Sequence, residues 1–147
     1  MATSFDTIEE LGLTTIVDYR LDNLYNSDID GFQTYIDGIL IRAISYFPEC
    51  RQDLSYDAET RTFESDLTFI EQSILADWYV YVWLLIQTQD ITQFRLHLQK
   101  GSFKTFSEAE ALKQRSEYLD RLREKIKQAI TDYDIVNLSS LPYFGDL

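Results

Sequence analysis

Apolar positions along this chain recur mostly at three- and four-residue intervals, the period of a helix lying on a core. From Thr7 to Asn26, the residues Ile8, Leu11, Thr15, Tyr19 and Asp22 keep that spacing, with Gly12 weakening it. The run "NSDIDG" breaks the pattern, and Ser27 or Asp28 can cap a second helix by accepting from an unpaired amide. That helix, 28–47, carries Phe32, Tyr35, Ile36, Ile39, Leu40, Ala43, Ile44 and Phe47 on one broad face. Pro48 ends it, because its ring pushes the preceding residue out of the α region. Residues 49–66 are polar and mixed, which predicts an exposed loop with a short extended turn around Arg61–Phe63.

At 67–71, "LTFIE" sets Thr68 and Glu71 in capping-box spacing, so a third helix is predicted over 67–89. It is apolar nearly all round from Ile74 to Ile86, the mark of a central helix, and Trp78 and Trp83 should lie buried with their N–H groups partnered. A short amphipathic piece, Ile91–Gln99, follows. Gly101 stops it, "SFKTF" runs extended, and Ser107 with Glu110 repeats the capping box. The last helix, 107–133, shows Leu112, Leu119, Ile126 and Tyr133 at intervals of seven, with Ser116, Leu122 and Ile130 near the intervening positions. Charged residues from Lys113 to Lys127 flank this narrow seam, which suits an antiparallel partner for the third helix better than a free coiled coil. The predicted fold is therefore all-α: a bundle of about four main helices, a long antiparallel C-terminal pair, and an extended tail. Pro142 and Gly145 keep the tail from being helical, and its large apolar residues predict burial somewhere.

Length changes this picture little, since 147 residues suffice for one domain with a sizeable core. Charge changes it more. Residues 1–90 carry 17 Asp/Glu against 4 Lys/Arg, whereas 91–133 carry 9 basic residues against 6 acidic. The net charge of −12 argues against wrapping a nucleic-acid duplex, and the asymmetry suggests two surfaces of opposite sign. The single Cys50 rules out an internal disulfide framework. The opening "MATSFDTIEELG" has neither a basic segment nor an apolar core, so no secretory signal is expected. The run "WYVYVWLLI" at 78–86 is about half the length of a bilayer span and predicts a buried helix.

Candidate chemistry is sparse. With one histidine, His97, and one cysteine, neither a zinc site nor a Ser-His-Asp or Cys-His arrangement has enough members. No glycine-rich phosphate cradle occurs, and Asp28 and Asp30 near Gly31 lack the remaining ligand series of a calcium loop. No catalytic residue, metal or cofactor is assigned, and the sequence argues against an enzyme. The stretch "LQKGSFKTFSEAEAL", 98–112, places Phe103 and Phe106 among Lys100 and Lys104. Alternation in an extended segment sends one ring to the core and the other, beside Lys104, toward a neighbouring chain.

From Asp66-Leu67-Thr68, through the apolar helix with Trp83-Leu84, to the Lys100–Ser107 connector and the helix marked by Ala109, Leu112 and Leu119, the order of elements is distinctive. It resembles the head-to-tail connector (adaptor, or neck) proteins of tailed bacteriophages infecting Gram-positive bacteria. The likeness covers roughly 66–135. Gly101 stands where an acidic residue is common, and the tail extends past the family's usual end. The resemblance implies a helical connector domain, 1–135, followed by a docking tail, 136–147. It implies a virion structural protein of the neck, a ring typically of twelve copies beneath the portal, extending the DNA channel. Partners would be further copies, the portal protein and a downstream neck or tail-completion protein, with DNA only passing through and no membrane. Assembly would take place in the host cytoplasm. On this reading Lys100, Phe103, Lys104 and Phe106 form an inter-subunit connector, and Leu138, Leu141, Tyr143 and Phe144 dock on the portal or a neighbour. The alternative from another class is an acidic regulatory or DNA-mimic protein, whose carboxylates imitate phosphates.

Overall fold

The computed structural model describes residues 2–16, 19–98 and 105–138. In chain order the elements are α1 (Phe5–Leu13), α2 (Tyr19–Ser27), α3 (Ile29–Ile44), β1 (Tyr56–Asp57), β2 (Thr62–Phe63), α4 (Phe69–Leu98) and α5 (Thr105–Leu138). The fold is mainly α, as the periodicity predicts. The two strands form an antiparallel hairpin, pairing Tyr56 with Phe63 and Asp57 with Thr62. The region expected as a loop is thus a small hairpin, and the N-terminal residues join it: Ser4 bridges Thr62, and the Phe5 amide donates to the Arg61 carbonyl at 2.9 Å.

The single helix expected over 7–26 is two. Thr14 and Thr15 turn their hydroxyls back on the carbonyls of Leu11 and Gly12, at 2.8 and 2.9 Å. The amides of Thr15 and Ile16 close three-residue turns onto Gly12 and Leu13, so the ladder of α1 tightens and ends there. Gly12 is no accident of composition. A Cβ built on it would lie 2.6 Å from the Tyr79 ring, so α1 seats its backbone directly on an α4 aromatic. Asp28, rather than Ser27, caps α3 by accepting from the Gly31 amide at 3.0 Å. The α3 helix ends at Ile44 and continues as tightened turns to Phe47, just before Pro48.

As expected, α4 is the central element, packing against α1, α3 and α5. Its side chains from Ile74 to Val82, apart from half-buried Asp77, are buried, and Phe5, Ile8, Ile39, Leu40, Phe47 and Phe63 close on them. The stretch Phe69–Gln89 is long and apolar enough to cross a membrane, and 56% of its most apolar window is buried inside the fold. Trp78 is buried, stacked on Tyr46 with ring centroids 5.2 Å apart, but its N–H has no hydrogen-bond partner among the described residues, contrary to expectation. Trp83 is half-buried.

Both long helices outrun their expected bounds. The polar run Gln87–Asp90 does not interrupt α4, which absorbs the piece expected as a separate helix. Such residues lower apolarity without disturbing the helical backbone, whereas Gly or Pro would. The α5 backbone starts at Thr105, which places Ser107 inside the first turn instead of at the cap, and makes Thr105 and Phe106 helical rather than extended. It also runs past Tyr133 to Leu138, so residues 136–138 belong to the helix and not to an extended tail. The predicted seam holds from Leu119 onward: Leu119, Leu122, Ile126, Ile130 and Tyr133 are buried, whereas Leu112 is half-buried and Ser116 is exposed like the flanking charged residues.

Candidate functional site

The polar groups with the most unusual surroundings form two internal clusters. The first is built on Arg61, which occupies the hairpin turn in the left-handed region at φ 56°. Asp57 shapes this turn, its Oδ1 accepting from the Glu59 amide at 2.9 Å. The Arg61 guanidinium grips Asp37 of α3 with two bonds, Nε to Oδ2 at 2.8 Å and Nη2 to Oδ1 at 2.9 Å. It also reaches Glu9 at 3.2 Å and Asp6 at 2.9 Å, both on α1. Glu9 is only 2% exposed. Burial, then the hydrogen bond and charge of Asp37, push its pKa to about 9 against the pull of Arg61. Asp37 is also partly desolvated, but the bonds from Arg61 and Glu9 outweigh that and hold its pKa below the usual range. A protonated Glu9 and an ionised Asp37 thus share one arginine, and the cluster clamps the hairpin to α1 and α3.

The second cluster centres on Glu71. The capping box is present: the Thr68 amide donates to Glu71 Oε1 at 2.8 Å, and the Glu71 amide to Thr68 Oγ1 at 3.3 Å. The other carboxylate oxygen, Oε2, accepts from the Tyr133 hydroxyl at 2.7 Å and from Cys50 Sγ at 3.5 Å. Tyr133 in turn accepts from the Arg51 amide at 2.9 Å. Burial alone would raise the Glu71 pKa, but the bonds from Thr68, Tyr133 and Cys50 lower it. Burial, reinforced by the Glu71 charge, pushes the Cys50 thiol up to about 12 and keeps it protonated. A thiol so held is a poor nucleophile. Both clusters spend their acids on internal bonds.

The surface offers two apolar features. One is a groove between α3 and α4. A cavity of about 430 Å³ is lined by Thr34, Tyr35, Gly38, Ile39, Arg42, Ile86 and Gln89. A second, of about 290 Å³, shares Arg42, Ile86 and Gln89 with the first and adds Tyr46, Val82 and Leu85. Tyr35, expected on the buried face of its helix, is 37% exposed at this groove. The other is a set of exposed apolar side chains at the start of α4 and the end of α5, the two helix ends that the Glu71–Tyr133 bond joins. Phe69 is 73% exposed there, and Ile70, Ile135 and Val136 are also exposed.

Of the residues assigned from the sequence, Lys100, Phe103, Lys104, Leu141, Tyr143 and Phe144 lie outside the described residues. Phe106 falls in the first turn of α5 and Leu138 is its last residue. Glu71 was legible only as half of a capping box, and Arg61 only as part of a turn. Their partners stand 62 and 52 positions away for Tyr133 and Glu9, beyond any local pattern. Compared with protein-family models, with curated proteins and with solved structures, the chain finds no match in any of the three.

Proposed function

We propose that this chain is a structural protein of a bacteriophage neck, forming a ring that joins the portal to the next neck or tail protein and extends the DNA channel. The observation that carries this reading is the presence of two separate apolar surfaces on one helical body. They are the α3/α4 groove with Tyr35 and Tyr46, and the exposed apolar side chains Phe69, Ile70 and Ile135 at the two helix ends. A ring needs a heterologous contact, in which one patch meets a different patch on the next copy. Two unlike surfaces suit that requirement better than one self-complementary face. The resemblance over 66–135 points the same way.

The antiparallel C-terminal pair fits as the rigid spine of such a subunit. Glu71 meets Tyr133, and further along α4, Asp77 feels the charge of Lys125. Both contacts support α5 partners that move backwards as α4 advances. Charge supports assembly as well: exposed Arg115, Arg121, Arg123, Lys125 and Lys127 on α5 can face the acidic surface contributed by residues 1–90 of a neighbour. An acidic channel wall would let DNA pass without adhering. In this reading the Lys100–Phe106 connector and the tail residues Leu138, Leu141, Tyr143 and Phe144 engage neighbours or portal. The protein works in the virion neck after assembly in the host cytoplasm, and its role is binding rather than catalysis, consistent with acids committed to internal bonds.

Electron microscopy and native mass measurement of the chain, alone and mixed with a phage portal protein, test the proposal. The expected result is a closed ring coaxial with the portal. Deleting 139–147, past the end of α5, should leave helicity and melting temperature unchanged while abolishing incorporation. A monomer or dimer that ignores portal but inhibits a nucleic-acid enzyme would favour the DNA-mimic alternative and overturn the ring.

A further inference from the structure

The α3/α4 groove combines an apolar floor, aromatic walls and one cation. Ile39, Ile86, Leu85 and Val82 supply the floor, and Tyr35 and Tyr46 stand exposed at its sides. Arg42 lines both cavities, and among the described residues it makes no ion pair, although residues 1–90 are rich in carboxylates. Its position in the last turn of α3 suits the helix dipole, but that would hold for any base on that turn. Gly38 is the second sign. It sits inside a sixteen-residue helix, where glycine weakens the backbone, yet a Cβ placed on it would meet nothing within 4 Å. Packing inside the chain does not require a glycine there. The missing side chain leaves the groove open instead.

We infer that this groove receives the 141–146 segment, "LPYFGD", of a second copy of this chain. The inference deepens the ring reading and rests on it. The segment's chemistry matches: Leu141, Tyr143 and Phe144 are large and apolar, and Asp146 is its single charge, opposite in sign to Arg42. Reach excludes the chain's own segment. The Glu71–Tyr133 bond puts the end of α5 at the start of α4, whereas the groove's α4 residues lie 11 to 18 positions further on. At the helical rise of ~1.5 Å per residue that is roughly 17–27 Å. With the pair antiparallel, Leu138 lies about 7 Å further still in the opposite direction. Phe144 stands six residues beyond Leu138, and a fully extended chain covers at most about 20–22 Å in that many residues. It would also have to pass from the α5 side of α4 to the α3 side. A neighbour's segment carries no such limit, and its insertion makes a head-to-tail contact that can close into a ring.

Two full-length variants test this by sedimentation velocity over a wide concentration range. Gly38→Trp fills the groove and leaves the segment intact. Tyr143→Ala with Phe144→Ala cripples the segment and leaves the groove intact. Each alone should weaken self-association by about tenfold or more, because aromatic anchors dominate such contacts. Mixed together, they should form a one-to-one heterodimer that grows no further, since only one intact groove then meets one intact segment. If Gly38→Trp loses helicity by circular dichroism, Arg42→Glu replaces it with the same expectation. Wild-type association by either variant, no heterodimer on mixing, or a wild type that stays monomeric at every concentration would each overturn the inference. Rings that persist in both variants would remove the groove while leaving the ring. Association through the groove without closure would remove the ring and leave the groove.

Discussion

Gly12 and Gly38 are both helical glycines, and the structure gives them opposite reasons to exist. At Gly12 an added methyl would press on the Tyr79 ring at 2.6 Å, and that ring is fully buried, with no room to yield. Gly12→Ala should therefore cost about 1–3 kcal/mol, the usual range for overpacking a core. At Gly38 the same substitution meets open space, so Gly38→Ala should instead gain about 0.5–1 kcal/mol from helix propensity and reduced unfolded-state freedom. Denaturant midpoints of the two variants check both signs at once. Sequence alone marks Gly12 only as helix-weakening and gives no sign of Gly38, because the difference lies in a contact 67 positions away for Gly12 and in none for Gly38. Glu9 illustrates the same limit. Beside Glu10 it reads as one of two ordinary helical acids, but it is buried in the middle of α1 against Asp37 and Arg61. An acid whose folded pKa is raised keeps its proton when folded after the unfolded chain has released it. Its stabilising contribution is complete below the ordinary value of 4.5 and is lost as pH rises toward about 9. Asp37 is shifted the other way, so its contribution is lost in acid, outside that window. Wild-type stability should thus fall between pH 5 and 9 by a component that Glu9→Gln removes; parallel pH profiles for the two proteins would refute this.

Elements were legible where their signals were local. The Thr68/Glu71 box needs only residues three apart and is present as read, and the α5 seam, which needs only its own spacing, is buried from Leu119 to Tyr133. Boundaries were legible where a backbone breaker acts, as at Pro48, and misread where composition alone was the guide. Gln87–Asp90 looked like an end and is helix, while "DIVNL" at 134–138 looked like tail and continues α5. Conversely, two threonines that close on α1 carbonyls split what periodicity joined. What the sequence withheld is how elements are tied. Tyr133 reads as one more seam residue, yet its hydroxyl bridges Glu71 and the Arg51 amide, joining α5 to α4 and to the loop after α3. Tyr133→Phe keeps the ring and removes that bridge, leaving a buried carboxylate one donor short. The expected cost is about 1–3 kcal/mol. The loss should appear in amide exchange as weaker protection at the start of α4 and the end of α5, with α1 and the hairpin unaffected. Uniform weakening throughout would mean the bridge does not act locally.

For the whole molecule, the division between what folds the chain and what assembles it should be separable by mutation. Phe5 is 1% exposed and Phe69 is 73% exposed, although both are phenylalanines at or near a helix start. Phe5→Ala empties a site packed against Phe63 and Tyr56, at centroid distances of 5.2 and 5.7 Å, and should cost about 3–5 kcal/mol. Phe69→Ser combined with Ile135→Ser removes only exposed apolar surface, so stability should stay within roughly 0.5 kcal/mol per site. Under the ring reading the second variant folds normally but fails to assemble with portal. Salt adds an independent axis. Attraction between basic α5 and the acidic surface of residues 1–90 should weaken as ionic strength rises and the screening length shrinks from about 10 Å at 0.1 M to about 3 Å at 1 M. Apolar contact at Phe69 and Ile135 should not. Assembly measured against salt should therefore decline in the wild type, and the decline should flatten in a variant reversing Arg121 and Arg123 to Glu, whose helix exposes both residues. Assembly that is indifferent to salt, or that survives loss of Phe69 and Ile135 unchanged, would assign these surfaces to something other than ring formation.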